Sequence, residues 1–422
     1  NLDFHPNYNC NDHPMCLVVL TGPNWETSAI VGTTLDAYKT QQVLQLTYGP
    51  FHTILSDHEQ LPYLYQMAPK DTALPLAMVS LMLHFNWNWI GLAISDNDQG
   101  TQFLSHLRIE MEKNTVCFAF VSMIPVKMDL YMSRAEVYYN QVMTSSTNVV
   151  IIYGDTDSTL ALNFRMLETL DKQRIWVTTS QWDVTTSKKD STIGSSYGTL
   201  AFAHHHSEIS GFKNFVQTLN PLKCSDEYIT RLGWMNFHCE DSASKCETLK
   251  NCSSNASLQW LMGQTFDMAF SDDSYDIYNA VYTVAHAVHE MLLQQVNEGK
   301  GQYDNCLKLH SFLRKTHFTN PVGEKVNMNQ RENLQAEYDI FQIWNFPNGF
   351  GLKVKIGEFS PYFPHGQQLH LNEDMIEWAT GNRQHYCSHQ HYEKQLEMSS
   401  RSFYLHGTTA TICGSALDKA SP

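Results

Sequence analysis

Short apolar runs alternate with amphipathic stretches along most of the chain, and the clearest example lies between residues 71 and 100. Six apolar residues there recur at the three- and four-residue spacing that places side chains on one face of a helix. They are Leu74, Ala77, Met78, Leu81, Met82 and Phe85. The apolar run 89–95 follows directly and is typical of a strand that is covered on both faces. This stretch therefore predicts a helix packed on the core, followed by a buried strand.

Polar residues next to these elements are candidates for helix caps. Asp71 or Thr72 can cap the helix just described, since either side chain can accept a hydrogen bond from a free backbone N–H. Pro75 then falls in the first turn, where a missing N–H costs little. Thr27 or Ser28 can cap an earlier helix in the same way.

The same alternation continues along the chain. It predicts strands near 16–20, 45–48, 116–121, 149–153, 175–178 and 197–203, and helices near 102–113, 134–143, 158–170 and 210–219. A longer helix is predicted by one apolar stripe, formed by Ile277, Ala280, Val281, Val284, Ala285, Val288 and Leu292. Residues 338–344 and 352–356 alternate around an Asn-Gly turn and predict a hairpin. Strands that alternate with helices indicate an α/β fold with a parallel sheet and helices on both faces.

Loops at the carboxyl ends of parallel strands line the ligand crevice of open α/β sheets. The segments 96–100, 154–157 and 180–183 occupy such positions, so we expect them to face a ligand. They carry no glycine-rich phosphate-binding pattern, which leaves nucleotide binding unsupported. The run His204, His205 and His206 follows another strand, and because successive strand residues point to opposite faces, these side chains cannot converge on one metal ion. A surface or edge cluster is the favoured interpretation.

Length and composition narrow the function. A chain of 422 residues exceeds one core and predicts two lobes, and 42% hydrophobic residues suffice to fill them. No apolar run is long enough to span a bilayer. The chain begins without a start methionine or a signal peptide, so we expect it to begin within a longer or processed protein. A net charge of −15 disfavours nucleic acid and anionic membranes as partners.

Cysteines and glycosylation sequons crowd one polar segment. Cys224, Cys239, Cys246 and Cys252 lie there, together with sequons at Asn251 and Asn255. This combination favours an oxidising, extracellular or lumenal compartment. A zinc site that includes the nearby His238 is the alternative, but the cysteine spacings miss the short pairs that zinc sites use.

Several of these stretches together resemble the extracellular Venus-flytrap domain of class C G-protein-coupled receptors. The motifs are YGPF at 48–51, APKDT at 68–72, HFNWNWIGL at 84–92 and DNDQG at 96–100. They are most similar to vomeronasal type-2 pheromone receptors, as are SGFKNFV at 210–216 and LKNCSSNAS at 249–257. More distant similarity to the calcium-sensing receptor lies at 278–286. The resemblance covers about residues 10–381.

The resemblance implies a bilobed, periplasmic-binding-protein-like fold with two parallel-sheet lobes that close on a ligand. Lobe 1 would comprise about 10–70 and 200–335, and lobe 2 about 71–199 and 336–360. The first strand and helix units of lobe 1 are expected to be missing, so this lobe is predicted to be truncated. Residues 382–422 match nothing in the family and form an atypical, polar tail that we expect to be poorly ordered.

The resemblance also assigns cleft residues. Asp71 matches a pocket carboxylate that orients a ligand amine in amino-acid-sensing relatives, whereas Phe51, Gln99 and Ser180 replace three other pocket residues. These departures disfavour α-amino acids and favour a peptide or another small molecule as the ligand. Cys239 and Cys252 are expected to form a disulfide, Cys117 to be a free thiol, and Cys10 or Cys16 to bridge two protomers. No metal or other cofactor is implied.

The resulting hypothesis is an extracellular receptor ligand-binding region that is not an enzyme. It would form homo- or heterodimers at the outer face of the plasma membrane and reach a G protein only through a transmembrane part that this chain lacks. A truncated secreted binding protein or a non-functional receptor product is the alternative. A hydrolase on an α/β scaffold is a further alternative, but the chain has no Gly-x-Ser-x-Gly nucleophile motif.

Overall fold

A computed structural model describes residues 18–37, 43–57, 59–154, 160, 174–182, 198–209, 211, 212, 214, 215, 267, 269–298, 306–328, 335–346, 350–376 and 378. The helices in this part are α1 (Trp25–Ala37), α2 (Leu74–His84), α3 (Asp98–Lys113), α4 (Met128–Met132), α5 (Ala135–Met143), α6 (Asp272–Glu298) and α7 (Cys306–Lys315). The strands are β1 (Val18–Thr21), β2 (Leu44–Thr47), β3 (Leu64–Gln66), β4 (Trp89–Asp96), β5 (Cys117–Pro125), β6 (Val149–Tyr153), β7 (Ile175–Thr179), β8 (Leu200–His204), β9 (His317–Thr319), β10 (Lys325–Asn327), β11 (Tyr338–Phe346), β12 (Phe350–Phe359) and β13 (Leu369–Leu371).

A small parallel sheet has the order β1-β2-β3 and is covered by the helices α6 and α7. Its core joins Leu44 and Leu46 of β2 to Ala280 and Ala287 of α6 and Leu313 of α7, all essentially inaccessible to solvent. A separate antiparallel pair, β9 and β10, packs on the same core through Val326. We call this assembly the small-sheet part.

A larger mixed sheet has the order β13-β12-β11-β8-β7-β6-β4-β5. The five strands from β8 to β5 pair in parallel, as the alternating pattern predicts. The predicted hairpin is also confirmed, since β11 and β12 pair antiparallel; β11 in turn pairs antiparallel with β8. We call this sheet and its helices, α2 to α5, the large-sheet part.

The helix α2 buries the predicted apolar face. Leu74, Ala77, Met78, Leu81 and Met82 are at most 2% exposed and pack in the main core of the large sheet. This burial supplies the hydrophobic stabilisation that holds a helix of eleven residues in place.

Both cap predictions are wrong. The helix α2 starts after Ala73, which makes no side-chain cap, and Asp71 lies in the 3-10 turn before it. The Asp71 carboxylate is instead directed to other partners, described below. At α1 the cap is Asn24, whose Oδ1 accepts hydrogen bonds from the backbone N–H groups of Glu26 and Thr27. Ser28 is fully buried inside that helix.

The apolar stripe on α6 is only partly correct. Ala280, Ala287 and Met291 face the core of the small-sheet part, but Val281 and Leu292 are 54% and 50% exposed. The buried face is therefore rotated from the stripe that the sequence indicates. The helix α3 also begins four residues earlier than predicted, because Asn97 caps it by accepting from the Gly100 N–H.

The chain crosses between the two parts at three places in the described residues. The first crossing leads from β3 through Asp71 to α2, the second leaves β8 at His204, and the third enters β11 at Tyr338. The lobe boundary predicted at residue 200 falls at the start of β8, a strand of the large sheet that runs to His204. The strand β13 of the same sheet lies beyond residue 360, where lobe 2 is predicted to end. The division into lobes stays a prediction.

Candidate functional site

A cleft lies between the small-sheet and large-sheet parts. The carboxyl ends of β6, β7 and β8 open into it from the large sheet, and the loop after β2 and the start of α6 face it from the small-sheet part. The polar or charged residues that line it include Tyr48, Asp71, Gln99, Tyr153, Ser180, His204, Asp272, Asp273, Asp276, Tyr338 and Lys353.

The carboxylate of Asp71 is held by two other cleft residues. Its Oδ1 lies 2.6 Å from Nε2 of His204 and accepts a hydrogen bond from the Tyr338 hydroxyl at 3.1 Å. The side chains of Asp71 and His204 are 19% and 17% exposed, so this ion pair is largely shielded from water. Charge-assisted hydrogen bonds of this kind are stronger than hydrogen bonds between neutral groups.

Burial and neighbouring charges shift the pKa values in this cluster. Burial alone lowers the pKa of His204, but the Asp71 carboxylate, with Asp272 and Asp276, outweighs it and raises the pKa to about 9. His204 is therefore an imidazolium at neutral pH. The pKa of the Tyr338 hydroxyl is raised by burial and by Asp71, which keeps it a hydrogen-bond donor.

The start of α6 brings further carboxylates to the cleft. One oxygen of Asp272, Oδ2, accepts hydrogen bonds from Ser180 Oγ at 2.6 Å and from the backbone N–H of His204 at 2.9 Å. Burial and the adjacent Asp272 raise the pKa of Asp273 to about 6, with His204 opposing the shift. Asp273 is thus a carboxylate whose charge is poorly compensated in this cleft.

The sequence predicts four cleft residues, and three of them line the cleft. They are Asp71, Gln99 and Ser180. Gln99 donates through Nε2 to the Tyr153 hydroxyl at 3.3 Å. Phe51 differs, because it is buried, does not line the cleft, and lies under Lys70, whose Nζ is 5.7 Å from the ring centroid. The neighbouring Pro50 lines the cleft in its place.

The run of three histidines diverges, as the alternation of strand side chains predicts, but its interpretation as a surface cluster is wrong for His204. His205 pairs through Nδ1 with Asp339 at 2.9 Å, and His206 stacks on Tyr275 with ring centroids 4.5 Å apart. Among the residues that the structure describes, no three His, Cys, Asp or Glu side chains are arranged to hold a metal ion.

Several predictions fall outside the described residues. They concern the Cys239–Cys252 disulfide, glycosylation at Asn251 and Asn255, the bridging cysteines Cys10 and Cys16, and the tail 382–422. Cys117, at the start of β5, is exposed and carries a free thiol.

The sequence interpretation missed His204, Tyr338 and the aspartates of α6 as cleft residues. His204 had a usable signal, since it ends a buried strand, and strand carboxyl ends face the crevice. No comparable sequence signal marked Tyr338 or Asp272. Tyr338 begins β11 and Asp272 begins α6, and only the assembled fold brings them to Asp71 and Ser180, respectively.

A cleft between two α/β parts joined by several crossings, lined by polar groups from both, defines a ligand-binding module with a periplasmic-binding-protein-like fold. The chain belongs to the family described as receptor family ligand binding region, whose model matches residues 14–345. This is a receptor ligand-binding family and not an enzyme family.

Among known proteins, the chain is 63% identical to vomeronasal type-2 receptor 116 of Mus musculus over 91% of this chain and 45% of the receptor. It is 32% identical to vomeronasal type-2 receptor 26 of Mus musculus, over 89% of this chain and 44% of that receptor. Identity to the extracellular calcium-sensing receptor of Homo sapiens is 22%, over 89% of this chain and 38% of that receptor. The chain thus spans less than half the length of these curated relatives. In the part of the chain that the structure describes, no helix has the length and apolar character needed to cross a bilayer.

Proposed function

We propose that this chain is the ligand-binding region of a vomeronasal-type chemosensory receptor and that it closes on a peptide or small molecule carrying a positive charge. The observation that carries this proposal is the acidic cleft. Four carboxylates line it, those of Asp71, Asp272, Asp273 and Asp276, against two cationic groups, His204 and Lys353. Lys353 lies 3.4 Å from the carboxylate of Asp267, which compensates part of its charge.

Among the described residues of the cleft, Asp273 carries a carboxylate whose charge is poorly compensated. The Asp71 carboxylate is engaged by His204 and Tyr338, and that of Asp272 by Ser180 and the His204 backbone. The raised pKa of Asp273 reflects a buried charge beside another carboxylate, and a ligand cation would relieve that repulsion. We therefore assign ligand charge recognition to Asp273. Gln99 supplies an amide from the opposite wall.

Closure would be a hinge motion of lobe 1, the small-sheet part, against lobe 2, the large-sheet part. Ligand that binds the closed state more tightly shifts the population toward it. In the full receptor this signal would pass to a G protein through a transmembrane part, from a homo- or heterodimer at the outer face of the plasma membrane. Glycans at Asn251 and Asn255 and a Cys239–Cys252 disulfide belong to the same proposal, with Phe51 as a residue behind the cleft wall.

Binding of matched peptides tests the proposal. The full chain, secreted from animal cells, is titrated calorimetrically with a panel of short arginine peptides and with the same peptides carrying neutral citrulline. We expect at least one arginine peptide to bind about ten-fold more tightly than its citrulline partner. This ratio corresponds to about 1.4 kcal/mol of binding free energy. Binding is also expected to reduce the radius of gyration in small-angle scattering.

Two variants provide the control. Asp273→Asn is expected to abolish the preference for arginine, whereas Asp374→Asn, at an exposed carboxylate that does not line the cleft, is expected to keep it. Equal affinity for arginine and citrulline peptides across the panel, or a preference for acidic peptides, would contradict the proposal.

A further inference from the structure

The three crossings between the small-sheet and large-sheet parts lie side by side. Backbone hydrogen bonds join them in pairs, since Ala336 N–H donates to the Lys70 carbonyl at 3.0 Å and His205 N–H donates to the Glu337 carbonyl at 2.8 Å. Lys70 and Gln335 also form an isolated parallel bridge. The third crossing therefore lies between the other two and is bonded to both.

Side chains from the three crossings also contact one another on the side that faces the cleft. Asp71 lies on the first crossing, His204 at the start of the second and Tyr338 at the end of the third. One carboxylate oxygen, Asp71 Oδ1, contacts both of the others, at 2.6 Å and 3.1 Å. His204 and Tyr338 are in addition direct partners in the β8–β11 register. All three chain segments thus meet at a single atom.

We propose that Asp71, His204 and Tyr338 form a proton-dependent hinge clasp that holds the three crossings together and restricts rotation of one part against the other. This inference follows from the crossing geometry and does not depend on any ligand. A rotation of the small-sheet part that separates the first crossing from the second must break the Asp71–His204 ion pair or carry both residues along.

The charged groups around His204 come from every element that packs on it. Asp71 faces it from the first crossing, Tyr338 from β11, and Asp272, Asp273 and Asp276 from α6, while Tyr153 of β6 and Lys353 of β12 line the same cleft. The carboxylates dominate this set, so the imidazolium form is favoured. Because the pKa of His204 rises from 6.5 to about 9 on folding, its contribution to stability is complete below 6.5 and is lost as the pH rises through about 9.

Hydrogen exchange of the full chain, read by mass spectrometry, tests the clasp. In His204→Gln at pH 7 we expect peptides that cover 67–73, 200–206 and 335–340 to exchange about five-fold faster or more, because local opening there costs less. A peptide from the core strand β4 is expected to be unchanged. Tyr338→Phe, which keeps the buried ring and removes only the hydroxyl, is expected to give the same pattern with a smaller effect.

A matched control tests whether the effect is specific to the clasp or follows from the loss of any histidine–carboxylate pair. His84 pairs with Glu373 at 2.9 Å, but neither residue lies on a crossing, so His84→Gln is expected to leave the three hinge peptides unchanged. In the wild-type chain, exchange of these peptides, corrected for the intrinsic rate, is expected to rise between pH 7 and pH 9.5, and His204→Gln is expected to remove that rise.

Three results would overturn the clasp. They are unchanged hinge exchange in both His204→Gln and Tyr338→Phe, an equal effect of His84→Gln, and a corrected exchange rate in the wild-type chain that does not depend on pH. If His204→Gln fails to fold, Tyr338→Phe and the wild-type pH series decide the question alone.

Discussion

Ser180 Oγ donates a hydrogen bond to Asp272 Oδ2 across the cleft, at 2.6 Å. Ser180 follows β7 of the large sheet, and Asp272 is the first residue of α6 in the small-sheet part. The same oxygen accepts the backbone N–H of His204. One carboxylate oxygen therefore links two strand ends of one part to a helix of the other.

Removing this contact is expected to open the cleft. Ser180→Ala removes one of the two large-sheet donors to Asp272 and leaves the His204 backbone N–H, so we expect a larger radius of gyration in small-angle scattering and a loss of about 1 kcal/mol in the free energy of unfolding. Ser133→Ala is the matched control, since the Ser133 hydroxyl is exposed and donates to Leu130 within the large-sheet part. An unchanged scattering profile in Ser180→Ala would show that this hydrogen bond does not hold the parts together.

Asp273 is expected to lower stability at neutral pH. Its pKa is raised from 3.8 to about 6 on folding, so its contribution to stability is complete below 3.8 and is lost as the pH rises through about 6. Asp273→Asn is therefore expected to raise the free energy of unfolding at pH 7 by roughly 1–3 kcal/mol. Denaturant titrations of both proteins across the pH range measure this difference, which should disappear below pH 4. A variant that is less stable than the wild type at pH 7 would contradict the assignment.

The core face of α2 is expected to dominate the stability of the large-sheet part. Met78 is fully buried, so Met78→Ala leaves a cavity and should cost about 2–5 kcal/mol in unfolding free energy. Leu83 on the same helix is 39% exposed, and Leu83→Ala should cost less than about 1 kcal/mol. Chemical denaturation of the two variants compares them, and similar losses would mean that α2 does not present this face to the core.

Replacing Gly154 by a residue with a Cβ is expected to lower the free energy of unfolding. It follows β6 with φ +144°, a backbone conformation that residues with a Cβ rarely adopt, and an added Cβ would collide with Ser95 Oγ and Leu160. Its carbonyl also accepts a hydrogen bond from Trp182 Nε1 at 2.9 Å. Gly154→Ala should cost about 2–4 kcal/mol.

The control for this substitution is Gly211→Ala, at an exposed position with open space around the glycine. It should change the melting temperature little, whereas Gly154→Ala should lower it clearly in the same thermal scan. Equal melting temperatures for the two variants would show that the turn after β6 can relax around a methyl group.

Local patterns predicted the strands and helices of the large sheet well because each of these elements has its own periodicity. The strand β4 and the helix α2 are long, apolar and bounded by polar turns, and their contacts lie close in sequence. The cap at Asp71 failed for a different reason. Its carboxylate can satisfy either a backbone N–H or His204, and the fold provides the charged partner, which the local sequence does not reveal.

The candidate site was only partly predictable for the same physical reason. Asp71 lies 133 residues from His204 and 267 residues from Tyr338 along the chain, so no local pattern connects them. The loops that carry Gln99 and Ser180 were found because the carboxyl ends of strands are recognisable from the sequence, and the family resemblance then assigned these two residues. The aspartates of α6 were missed, since that helix was interpreted from its apolar stripe alone.

The divergence of His204, His205 and His206 has a consequence for how this segment can change. Each side chain reaches a different neighbour, respectively Asp71, Asp339 and Tyr275. Deleting or inserting one residue within β8 would shift its side-chain alternation by one position, which would move His204 away from Asp71 and displace His205 and His206 with it. Substitutions can alter these contacts one at a time, but a change in the length of β8 would alter all three contacts at once.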